Sequence, residues 1–112
     1  MSCIFCEIVK KQIPSSIIYE DKQILAFKDV TPQAPIHVLI IPKEHIASTD
    51  EITSSNCSVV AHIFEKIPQI ANTLEIKNGY RIVINCGKEG GQTVEHLHFH
   101  LLADREMTWP PG

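Results

Sequence analysis

No run of apolar residues in this chain approaches the ~20 needed to cross a bilayer, so no membrane span is expected. The opening "MSCIFCEIVKK" lacks a long apolar core, and no signal peptide is visible. Basic stripes are missing too: only 10 Lys and Arg stand against 13 Asp and Glu, and no basic run is longer than Lys10–Lys11. Nucleic-acid binding needs such a stripe and is set aside. Repeats, low-complexity tracts and linkers are lacking, so residues 1–112 are expected to form a single domain. That length buries one core and not two. With neither leader nor membrane span, the expected location is the cytoplasm, with the nucleus also open. Four cysteines in such a reducing compartment rarely mean structural disulfides. What is present is otherwise ordinary for a globular protein: 44% apolar and 21% charged residues.

Periodicity predicts the elements. Residues 4–13 carry Ile4, Phe5, Ile8 and Val9 at helical spacing, ended by Pro14. "SIIYE" (16–20) and "QILAFKD" (23–29) read as a hairpin, and "HVLIIP" (37–42) as a strand. Residues 43–55 read as irregular. From about Cys57 to Leu74, Val60, Ile63, Phe64, Ile67, Ile70, Ala71 and Leu74 form the stripe of an amphipathic helix, which Pro68 should bend or split. "YRIVINC" (80–86) and "VEHLHFHLLA" (94–103) are strands around the loop "GKEGGQT". Short connections favour antiparallel neighbours. The expected class is α+β: an antiparallel sheet of about five strands, one main helix and a short N-terminal helix.

The stretch "HLHFHLL" (96–102) holds half of the six histidines. On a strand, His96, His98 and His100 point one way and Leu97, Phe99 and Leu101 the other. The outer pair would lie about 13 Å apart at ~3.3 Å per residue, too far to share one metal ion. The row must therefore divide its labour. Neutral imidazole is a nucleophile that titrates near neutral pH, and the middle ring suits that work. The glycine-rich loop just before it offers backbone N–H groups to an anion, with the Gln92 amide and Thr93 hydroxyl at the same rim. Alone, that loop reads more readily as a plain hairpin connection than as an anion cradle.

The row matches the His-φ-His-φ-His-φ-φ signature of the histidine triad superfamily. Together with "FKDVTPQAPIHVLIIPKEHI", "YRIVINCGKEGGQTVEHLHFHLL" and "WPPG", it resembles the Hint-type branch, the histidine triad nucleotide-binding purine nucleoside phosphoramidases. The likeness runs from "CIFC" to the final glycine. It implies a purine nucleotide substrate and His98 as nucleophile, with His100 on the phosphate, His37 supporting the row and Thr93 beside the leaving group. It implies Asn85, Gly91, Gln92 and Val94 around the phosphate and Asp29 on the ribose hydroxyls. Ile4, Phe5, Ile8, Phe27 and Val30 become the purine cleft. Read without the family, Phe5, Ile8 and Phe27 are ordinary core residues and Asp29 a turn residue. The resemblance also implies a homodimer, with Trp109 near the partner's site.

Cys3 and Cys6 form a C-x-x-C pair, half of a zinc site. His45 and His96 would complete a Cys₂His₂ set. Zinc-binding relatives in the superfamily resemble this pattern and imply a structural ion, with no metal required for catalysis. The alternative is two free thiols and two supporting histidines. Cys57 and Cys86 read as plain thiols and His62 as structural.

Thr93 replaces a common serine, Glu95 an aromatic, Asp104 a glycine and Thr108 a histidine; none removes a group the mechanism needs. The leading expectation is hydrolysis of adenosine 5′-phosphoramidates to AMP and amine through a nucleotidyl-histidine. The alternatives are a dinucleoside polyphosphate hydrolase of the same superfamily and a non-catalytic purine-nucleotide-binding or scaffold protein.

Overall fold

The computed structural model describes residues 3–112; Met1 and Ser2 fall outside it. Its elements are α1 (Ile4–Val9), β1 (Ile17–Glu20), β2 (Ile24–Lys28), β3 (Ile36–Pro42), a 3₁₀ turn (Thr49–Glu51), α2 (Ser58–Thr73), β4 (Tyr80–Val83) and β5 (Phe99–Ala103). The strands form one antiparallel sheet in the order β1-β2-β3-β5-β4. This is the expected α+β arrangement.

Both faces of the central strands are covered, which explains why "ILAF" and "VLII" are apolar without alternation. Ile24, Ala26, Val38, Ile40, Leu97, Phe99 and Leu101 pack beneath α2 against Val59, Ile63, Ile67 and Ile70. On the opposite face, Leu25, Phe27, Leu39 and Ile41 pack with Phe5 and Ile8 of α1. The site lies on that second, more thinly covered face.

Several boundaries differ from expectation. α1 stops at Val9, well before Pro14, because Lys11 takes a left-handed conformation (φ 64°). Lys11 N–H then donates to Ile8 O and Gln12 N–H to Glu7 O, which closes a Schellman motif. α2 ends the same way at Glu75 (φ 58°), with Glu75 N–H on Asn72 O and Ile76 N–H on Ala71 O. The usual signal for this stop is glycine, and neither position has one. α2 runs unbroken through Pro68, which sits on its exposed side. The carbonyl that the proline leaves without a donor belongs to Phe64, also on the outside, where water can serve it. The buried stripe uses Val59 rather than Val60, and Phe64 is 48% exposed while its ring meets Phe99 edge-on. His62 is structural as expected: its ring lies 2.6 Å from the Asp21 carboxylate at the β1–β2 turn.

The strands around the histidines are shorter than their apolar runs. β4 ends at Val83, and β5 begins only at Phe99. Their last pair is Val83 with His100, while Ile40 of β3 pairs with Phe99. Before Phe99 the chain leaves the ladder, and Leu97 N–H donates instead to Ile46 O. His96 and His98 are therefore not ladder residues. Side-chain alternation survives all the same: Leu97, Phe99 and Leu101 share the α2 core, while Phe5 on the other face touches His96 and His98.

Candidate active site

His98 and His100 open into a cleft of about 280 Å³. Ile4, Phe5, Ile8 and Phe27 make its apolar wall; Asp29, Val30, Thr93 and Val94 stand around its mouth. A larger open depression of about 620 Å³ lies elsewhere, by Pro35, Asn78 and Arg105, and contains no imidazole. The imidazoles gather at the smaller cleft.

Hydrogen bonds set the state of each ring. His98 Nδ1 lies 2.7 Å from the carbonyl of His96. A carbonyl only accepts, so Nδ1 carries a proton, and in the neutral ring the lone pair is on Nε2. His37 Nδ1 accepts the backbone N–H of Gln33 at 3.0 Å, so the proton of His37 is on Nε2. That nitrogen lies 2.9 Å from His100 Nδ1 and 3.4 Å from Asp29 Oδ2. It donates to His100, whose own proton is thereby placed on Nε2. His100 Nε2 is buried and has no partner among the described residues. A buried donor without an acceptor is costly, and a ligand oxygen at the cleft would satisfy it. Burial, then the neighbouring His98 and His37 rings, push His100 down to about 4, against a smaller upward pull from Asp29. Burial also lowers His37, opposed by Asp29. At neutral pH both rings are uncharged.

Asp29, His37 and His100 lie close enough to suggest a metal site. The tautomer argues otherwise: His37 Nε2 holds a proton where a metal would need a lone pair. The trio is a proton-ordered relay.

The glycine loop folds on itself. Gly91 has φ 83°, and its N–H donates to Lys88 O, while Gln92 N–H donates to Gly87 O. A side chain at Gly90 would run into the backbone of Cys86. The Gln92 amide is fully engaged: its oxygen accepts from Gly87 N–H, and its nitrogen donates to Ala47 O and Val94 O. It buckles the loop to the segment after β3 and leaves Thr93 and Val94 on the cleft wall. Asn85 is half-buried outside the lining, and Trp109 is 82% exposed in the tail. Val30, 96% exposed, touches only the rim.

Behind the cleft, Cys3, Cys6, His45 and His96 converge, all donor atoms within 4.8 Å of one another. Cys3 Sγ and Cys6 Sγ lie 3.4 and 3.6 Å from His96 Nδ1, Cys6 Sγ is 3.4 Å from His45 Nδ1, and the two Nδ1 atoms are 3.2 Å apart. A tetrahedron with arms of ~2.0–2.3 Å has edges of roughly 3.3–3.8 Å, so the four groups fit zinc. The fully buried His96 ring lies with Nε2 2.8 Å from Pro42 O, which fixes the proton there and leaves Nδ1 for a metal. Burial, then the adjacent Cys3 thiol, push the Cys6 thiol up, a cost that a bound cation would reverse. The site is compatible with structural zinc.

These features define a class: a small α+β protein with neighbouring imidazoles at an apolar cleft. The family model described as "Scavenger mRNA decapping enzyme C-term binding" matches residues 2–110. An uncharacterized HIT-like protein of Synechococcus elongatus is 49% identical over 109 residues, covering 97% of this chain and 96% of that protein. A solved HIT family hydrolase from Legionella pneumophila superposes with TM-score 0.95 at 46% identity, over 99% of this chain and 100% of that one. Another, from Clostridium thermocellum, gives TM-score 0.93 at 49% identity, over 96% and 94%. The chain belongs to the HIT, or histidine triad, family and is hydrolase-like. No helix among the described residues is long and apolar enough to cross a membrane.

The relay donor, the Gln33 backbone N–H, escaped the sequence reading because no residue type announces a main-chain hydrogen bond. The engagement of Gln92 escaped it for the related reason that its partners are also main-chain groups.

Proposed function

We propose that residues 1–112 act as one domain, a purine nucleoside phosphoramidase that hydrolyses adenosine 5′-phosphoramidates to AMP and an amine. The observation that carries this reading is the pairing of His98 Nε2, a lone pair, with His100 Nε2–H, an unpartnered buried donor, at one apolar cleft. The names of the Legionella and Clostridium relatives support hydrolysis in general.

The purine enters between Ile4, Phe5, Ile8, Phe27 and Val30, and Asp29 receives the ribose hydroxyls. His98 Nε2 attacks the α-phosphorus, and the P–N bond breaks. The departing nitrogen takes a proton from the Thr93 hydroxyl and leaves as the amine. His98 now carries the nucleotidyl group, with its Nδ1–H still on the His96 carbonyl. Water then attacks phosphorus and gives a proton to the Thr93 oxygen; the bond from phosphorus to His98 Nε2 breaks, AMP departs and His98 recovers its lone pair. His100 donates to a phosphate oxygen throughout. Thr93 and Val94 face the phosphate from the cleft wall, and Gln92 holds the loop that carries them; Asn85 and the Gly91 backbone, which the family resemblance puts near the phosphate, lie outside the lining. Cys3, Cys6, His45 and His96 would hold zinc, which would supply structure and take no chemical part. A homodimer brings Trp109 toward the partner's cleft.

Acid quench of the protein mixed with an adenosine phosphoramidate, followed by mass analysis, is expected to show adenylate on the peptide bearing His98. Diadenosine polyphosphates assayed in parallel are expected to turn over far more slowly. Efficient cleavage of those alone, or AMP binding with no turnover of either, would overturn the reading.

A further inference from the structure

His100 is uncharged at neutral pH and so carries a single ring proton, which sits on either nitrogen. Only the Nε2–H form presents a donor to the cleft. The Nδ1–H form would present a lone pair to a phosphate oxygen and repel it. Which form exists is decided outside the cleft, through a chain of hydrogen bonds that starts on the β2–β3 loop.

Gln33 N–H donates to His37 Nδ1 at 3.0 Å, and His37 Nε2 lies 2.9 Å from His100 Nδ1. Gln33 is held from two sides. Its own side-chain nitrogen donates to Thr31 O at 3.1 Å, and Arg105, in the segment after β5, donates Nε to Gln33 O at 2.9 Å. Arg105 touches neither the cleft nor any histidine of the row. Asp29 Oδ2, 3.4 Å from His37 Nε2, is a second acceptor that favours the same proton position.

We propose that Arg105 and the Gln33 backbone are positioning residues for nucleotide phosphate: Arg105 pins Gln33, Gln33 N–H sets the His37 tautomer, and His37 turns the proton of His100 toward the cleft. The inference rests on the reading of the cleft as a nucleotide site. Its signature is selective: phosphate recognition weakens, while the base and ribose are untouched.

The test combines two measurements on the full chain: ring tautomers of His37 and His100 by long-range ¹⁵N–¹H NMR, and affinities for AMP and for adenosine by calorimetry. The wild type is expected to show both protons on Nε2. Arg105→Ala is expected to give mixed tautomers and to weaken AMP about three- to tenfold, the worth of one ordinary hydrogen bond. Adenosine affinity should stay as it was, and Arg105→Lys, which keeps a cationic donor, should restore much of the AMP loss. Gln33→Pro removes the N–H itself and should act more strongly; if that chain does not fold, the Arg105 pair still decides. A wild-type His37 protonated on Nδ1 overturns the proposal. So do unchanged tautomers in Arg105→Ala, or equal losses of AMP and adenosine. The NMR result is independent of turnover, so a chain with the stated tautomers that cleaves no phosphoramidate refutes the assigned activity and not the relay.

Discussion

Phe5 meets His98 edge-on at 5.2 Å and meets His96 at 5.8 Å. The same residue lies between Cys3 and Cys6 and lines the cleft. One short helix thus joins the Cys/His cluster to the apolar wall of the cleft.

A helix of six residues does not hold itself together in water. Its anchors are the buried Phe5 and Ile8 side chains and the four-ligand cluster. Chelation of the zinc-loaded protein is therefore expected to speed amide exchange at residues 4–9 and leave β3 and β5 protected. AMP affinity should fall at the same time. Exchange rates in α1 identical with and without chelator would show that the metal does not hold the helix.

His98→Asn keeps a polar side chain of similar reach but supplies no nucleophilic imidazole. Phosphoramidate turnover is expected to fall by at least about a thousandfold, with AMP still bound. Covalent adenylate should vanish from the quenched protein. Residual turnover near the wild-type rate would mean that another group attacks phosphorus.

Acid should unfold the protein through its buried rings. An unfolded chain protonates these imidazoles near pH 6.5, whereas folded His100 resists to about 4. Burial lowers His37 and His96 in the same direction. The unfolded chain therefore binds more protons across that interval, and stability falls as pH drops from about 6.5 to about 4. Each displaced ring contributes a slope of at most about 1.4 kcal/mol per pH unit. Urea midpoints of metal-free protein should show the decline, and His100→Asn should flatten it. A flat profile in the wild type would mean that these rings titrate alike in both states.

Much of this architecture was legible because apolar spacing reports burial directly. The hairpin, β3, α2 and the two-faced histidine row all follow from it. The convergence of Cys3, Cys6, His45 and His96 was legible from the C-x-x-C pair taken with the family resemblance, although Cys3 and His96 stand far apart in the chain. Ends of elements were less legible. Lys11 and Glu75 stop their helices in a left-handed conformation that side-chain type does not announce. Val59 is buried more deeply than Val60 because it stands a full turn (i, i+4) before Ile63, whereas Val60, at i, i+3, packs only at the edge of the same core. β5 starts late because β3 and β4 both diverge before Phe99, a property of three strands together that no single segment contains.

The glycine loop offers a test of shape against flexibility. Gly91 needs its positive φ, and a side chain there meets nothing within 4 Å. Gly91→Ala is expected to cost only the left-handed backbone penalty, about 1–2 kcal/mol. Gly90 is different: its Cβ would collide with the Cys86 backbone, which cannot swing aside as a side chain does. Gly90→Ala must open the loop, and Gln92 would then lose its grip on Ala47 and Val94. Since Thr93 and Val94 follow directly, their place on the cleft wall goes with it. The expected result is a lower melting temperature for both variants but a drop in phosphoramidate turnover chiefly for Gly90→Ala, at unchanged adenosine affinity. Equal losses of turnover in the two would show that the loop acts through its backbone flexibility and not through the shape that Gly90 permits.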